Sequence, residues 1–87
     1  MCENLKLISQ LYNETLSYLD TQRDEYSSKV KYKAFVSLVI ETKKAELEKS
    51  IAKCFNDHGQ IVSDLSFAKK QVRILKTMTE KELRLLV

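Results

Sequence analysis

An all-α fold, a small three-helix bundle with residues 1–87 as one helical domain, is what this sequence predicts, and three observations predict it. The chain has no Pro and a single glycine, Gly59, so it lacks the turn residues from which hairpins and sheets are built. Apolar residues recur in steps of three and four through long stretches, which lines them up on one face of a helix. Apolar residues make up 44% of the chain and charged residues 31%, a balance that supports a core with charged helix faces and argues against disorder. A chain of this size buries only about 60–65% of its unfolded surface, so its stability margin is thin.

The first helix is read from Leu5. Leu5, Ile8, Tyr12, Leu19 and Tyr26 follow one another at helical spacing with Leu16 beside them, an amphipathic stripe of roughly six turns. Leu7, Leu11 and Tyr18 widen the stripe to one side, so this helix should touch two neighbours. The polar run from Thr21 to Ser28 predicts a connection near residues 25–29, with Ser27 and Ser28 as N-caps for the next helix.

The second helix is expected from about Val30 to about Asp57. At its centre, Ala34 to Ile40 is apolar on every side, between Lys29, Lys31 and Lys33 before it and Lys43 and Lys44 after it. A helix that is apolar all round is expected to be buried all round, which places Val36, Leu38, Val39 and Ile40 in the core. The β-branched centre could pass for a strand, but residues 41–49 are mostly strong helix formers with no turn signal. Asn56-Asp57-His58-Gly59 reads as a helix end, because glycine suits the left-handed residue that closes a helix.

A third helix from about Ile61 carries Leu65, Ala68, Val72 and Leu75. One alternative architecture competes with the bundle. Leu47, Ile51, Cys54, His58, Ile61, Leu65, Ala68, Val72, Leu75, Thr79, Glu82 and Leu86 alternate steps of four and three without a break through Gly59. If Gly59 lies within a helix, the chain is a helical hairpin with one long coiled-coil helix that must pair outside itself. Thr79-Glu80-Lys81-Glu82 fits a capping box and would start a separate last turn.

Charge is uneven: residues 1–28 carry two cations and five acids, residues 29–87 thirteen cations and seven acids. Two cysteines are too few for a disulfide framework, and no signal peptide or membrane-length apolar run is evident, so an intracellular setting is expected, cytoplasmic with the nucleus not excluded, and no membrane partner. The sequon Asn13-Glu14-Thr15 then carries no glycan. Cys54 and His58 stand one helical turn apart, half of a metal site, but Cys2 is the only other cysteine and there is no second histidine. A small apolar cysteine and a capping or buried histidine explain the pair better. Glu46, Glu48, Asp57 and Asp64 read as solvated helix-face charges, no base beside a nucleophile is evident, and one glycine cannot build a phosphate-binding loop. No catalytic residue, cofactor, metal or small-molecule substrate is expected, and the chain is expected not to be an enzyme.

Two surfaces of the third helix remain. Lys69, Arg73, Lys76 and Arg84 share a face with Lys70 beside them, and Lys69, Lys70, Arg73 and Lys76 could contact nucleic-acid phosphates. Arginine is scarce, with three against twelve lysines, and no aromatic residue interleaves the stripe for base stacking. A solvated face, or a docking surface for an acidic partner helix, is the plainer reading. The second surface is an apolar row beside the core stripe: Phe67, Ile74, Met78 and Leu85. A helix with two apolar rows contacts two things. In a three-helix bundle both rows can be satisfied within the chain; otherwise these residues, with Arg73 and Lys76 flanking them, are the expected partner-binding surface of a non-enzymatic protein-protein interaction module. Such a module would be a small helical subunit, adaptor or inhibitor that acts through helix-helix packing, in self-association or in a heteromeric complex.

Overall fold

The computed structural model describes residues 2–87, with side chains from Asn4 onward. Three helices account for most of the chain: α1 (Cys2–Ser27), α2 (Lys33–Ala52) and α3 (Leu65–Arg84). They form the three-helix bundle, a rod measuring 46 × 19 × 17 Å. The long hairpin is overturned at Gly59, which has φ +76°. That value ends any helix and is reached cheaply only without a Cβ.

Each helix end has a local cause. α1 closes as Lys29 N and Val30 N donate to Tyr26 O. Ser28 Oγ also donates to Glu25 O at 2.7 Å. Ser27 and Ser28 therefore serve the end of α1 and do not cap α2, whose N-cap is Tyr32 with no side-chain cap. α2 stops at Ala52, a turn and a half short of the expected Asp57. The reason is Asn56: its Oδ1 accepts from His58 N and Gln60 N, both at 2.9 Å. Val62 N donates back to Cys54 O at 2.8 Å, so residues 53–64 fold into a tight loop in which Phe55 and Ile61 form a bridge. The third helix consequently starts at Leu65, where Asp64 Oδ1 accepts from Phe67 N at 2.9 Å. Thr79 begins no separate turn; it is fully buried in mid-helix, and its hydroxyl donates to Leu75 O at 2.7 Å.

The core is Leu19, Val36, Ile40, Leu47, Val72, Leu75 and Leu83, continued toward the loop end by Ile8, Cys54 and Ala68. The expectation for Ala34–Ile40 is corrected here. Val36 and Ile40 are fully buried, Val39 is half-buried, and Phe35 and Leu38 are 53% and 63% exposed. Two neighbouring helices can cover only part of a helix circumference, so the outer side of α2 stays in solvent although its sequence is apolar. His58 and Glu82, placed on the core stripe by heptad counting, are exposed as well.

Candidate interaction surface

The seams between the helices are treated differently. Between α1 and its neighbours, polar side chains lie across the seam. Lys44 Nζ meets Asp20 Oδ1 at 2.8 Å, and this bond holds the Asp20 carboxyl below the usual carboxylate range. Tyr12 Oη donates to Glu48 at 3.4 Å, and Tyr18 Oη donates to Glu80 at 2.8 Å. Burial, then the bond to Glu80, pushes the Tyr18 phenol well above its ordinary range. Lys76 Nζ sits 4.9 Å over the Tyr18 ring. These bridges tie α1 down over the core.

Between α2 and α3 the polar tie starts from a buried cation. Lys43 is buried, and its ammonium meets Glu82 at 2.6 Å and Glu46 at 3.3 Å. Burial alone would depress its pKa, but the two carboxylates outweigh burial and raise it. Along the same seam runs an open groove. Toward the loop end its α2 bank is Glu46, Lys49, Ser50 and Lys53, and its α3 bank is Gln71, Ile74 and Met78, over Leu75. Toward the other end Val30, Tyr32 and Phe35 face Leu85 and Leu86 across a second recess on the same side. The rings of Tyr32 and Phe35 pack edge to face with centroids 6.0 Å apart.

Of the apolar row expected on α3, Ile74 and Met78 line the first recess, Leu85 lines the second, and Phe67 lines neither. Phe67 is half-buried against Ala68, whereas Ile74, Met78 and Leu85 are 45%, 47% and 80% exposed. Arg73 and Lys76 do not flank this groove as expected. Arg73 is exposed on the side of α3 away from it, and Lys76 is engaged with Tyr18 on the α1 side. The α2 bank was not singled out by the sequence, because Lys49 and Lys53 look like any solvated helix charge and Phe35 was assigned to the core. Of the lysine stripe, Lys69, Lys70 and Arg73 are exposed and form no ion pair among the described residues.

Cys54 and His58 do not form a joint site. Cys54 is buried and burial raises its thiol pKa, while His58 is exposed in the loop. Cys2 lies outside the described side chains. Among the described residues no three His, Cys, Asp or Glu groups converge to hold a metal ion, and no helix is long and apolar enough to cross a membrane. Compared with family models, curated proteins and solved structures, the chain matches none.

Proposed function

We propose that this chain is a non-enzymatic interaction module, a small helical subunit, adaptor or inhibitor that receives a partner helix in the α2/α3 groove as part of an oligomer or larger complex. The observation that carries the reading is the exposure of Ile74 and Met78 one turn apart on α3, in line with Phe67 and Leu85 and facing a second bank on α2. Single exposed apolar residues are ordinary; an exposed apolar pair in a groove between two helices, with a third such residue further along, is a geometry into which another helix packs. The test is molar mass by light scattering at high micromolar concentration, with partner capture by the wild type and by the Ile74→Asp/Met78→Asp variant. Association lost in the variant with helicity retained supports the reading. A strict monomer whose variant captures the same partners as wild type overturns it.

The second reading, a small nucleic-acid-binding protein, is favoured by one observation: Lys69, Lys70 and Arg73 are exposed and unpaired among the described residues. Lys76 is partly withdrawn from that face by the Tyr18 ring. Titration with duplex DNA, single-stranded DNA and RNA at low and rising salt tests it, since phosphate contacts weaken steeply with salt. Absence of binding at tens of micromolar retires it.

A further inference from the structure

Resting on the groove reading, we infer that the occupant is an acidic amphipathic helix, its apolar stripe seated on Ile74 and Met78 and its carboxylates placed toward a ring of lysines. The groove's own charges decide this. On the α2 bank Lys49 and Lys53 line the recess. On α3, Lys70 and Lys81 fall on one line with Ile74, four residues before it and seven after it, outside the lining of the recess itself. All four lysines are exposed, and none makes an ion pair among the described residues.

The acids of the same two helices are already used. Glu41 reaches Lys44, Glu46 and Glu82 share the buried Lys43, Glu48 accepts from Tyr12, and Glu80 accepts from Tyr18. Every glutamate on α2 and α3 thus has a partner within the chain, Glu46 on the groove wall included, while Lys49, Lys53, Lys70 and Lys81 have none among the described residues. A basic helix would meet four like charges there, whereas an acidic one neutralises them at the rim of an apolar contact, the arrangement that sets specificity between packed helices. From Gln71 to Leu85 the α3 bank runs for about 21 Å at the helical rise of about 1.5 Å per residue, so an occupant of about four turns spans both recesses.

The experiment uses three synthetic peptides of about eighteen residues on the whole chain. One carries Leu and Ile at helical spacing of three and four with Glu on both flanks, the second replaces each Glu by Lys, and the third scrambles the first. Binding is read by fluorescence anisotropy and by amide chemical-shift changes. The acidic peptide should saturate and shift Gln71, Ile74 and Met78, with the basic twin weaker by about tenfold or more, as a few exposed charge pairs provide. Changing Lys49, Lys53, Lys70 and Lys81 together to Glu should reverse the order, with circular dichroism confirming the fold.

Equal binding of acidic and basic peptides, both lost in Ile74→Asp/Met78→Asp, overturns the acidic occupant and leaves the groove reading standing. Equal binding of the scrambled peptide also overturns it, because charge alone would then suffice. A dimer broken by Ile74→Asp that the acidic peptide cannot displace makes the occupant a second copy and overturns it too. Failure of all three peptides, together with a monomer indifferent to Ile74→Asp, removes both readings.

Discussion

The α1 seams and the α2/α3 seam are built from similar residues with opposite results. Along α1 the polar groups bridge over the apolar contact, through Lys44 to Asp20, Tyr12 to Glu48 and Tyr18 to Glu80. Between α2 and α3 the buried ammonium of Lys43 meets Glu46 and Glu82, whose side chains stay 44% and 46% exposed. Beside the Tyr12–Glu48 bridge the α1/α2 seam keeps a recess over Ile8, Ile51 and Phe55, all buried or half-buried. The α2/α3 seam leaves Ile74, Met78, Phe35 and Leu85 exposed. The two seams teach that similar polar ties can accompany a recess floored by half-buried apolar side chains in one seam and a row of exposed ones in the other.

The largest expected effect tests how far the two faces of α2 differ. Ile40 has no exposed surface, so Ile40→Ala should cost about 2–5 kcal/mol, enough to unfold much of so small a domain. Leu38, two residues earlier and outward, should lose no more than about 0.5 kcal/mol on the same truncation. Urea unfolding followed by circular dichroism measures both. Equal losses would mean that the outer side of α2 is covered.

Next in size is the buried tie itself. Lys43→Ala removes the cation and strands two carboxylates beside one another, at a cost of about 1–3 kcal/mol. Lys43→Met keeps the packed stem and should cost less. The pH dependence has a definite sign. A raised pKa for the folded Lys43 ammonium contributes stability below the ordinary lysine value of 10.5 that is lost as pH rises through the higher folded value. The Tyr18 phenol acts in the same direction from its ordinary 10.0. Urea midpoints should therefore fall above about pH 10, and less so in Lys43→Met and Tyr18→Phe. A curve of unchanged shape in both variants would detach these two groups from alkaline unfolding.

Much of the bundle was legible because burial follows helical spacing: Ile8, Leu19, Leu47, Ala68, Val72 and Leu75 all lie where the periodicity put them. What periodicity missed has particular causes. Counting strict heptads led to Glu82, but an α-helix turns every 3.6 residues, so the stripe drifts and Leu83 is the buried residue. Thr15 and Thr79 are buried although polar, because each hydroxyl donates to the carbonyl four residues back, a bond within the helix that composition does not reveal. The ends of α2 and α3 depend on the Asn56 side chain, whose turn pulls the helix end back from Asp57 to Ala52. On the groove, the α3 row was visible in the sequence. Its α2 bank was not, because only the fold shows which lysines face an apolar floor.

The smallest expected effect on stability is the most informative about the open seam. Ile74 and Met78 are nearly half exposed, whereas Leu75 between them is 4% exposed. Asp at position 75 would put a charge into the core and unfold the chain, because a buried unpaired carboxylate finds no partner there. Asp at positions 74 and 78 stays at the surface of an intact helix, and each should change stability by no more than about 0.5 kcal/mol. The measurement is a denaturation curve for Ile74→Asp/Met78→Asp beside one for Leu75→Asp, with helicity recorded for both. A double variant as unstable as Leu75→Asp would make the row part of the core and close the seam. A double variant as stable as wild type shows that folding makes no demand on these two apolar side chains, so whatever they contribute must lie in contacts outside the bundle.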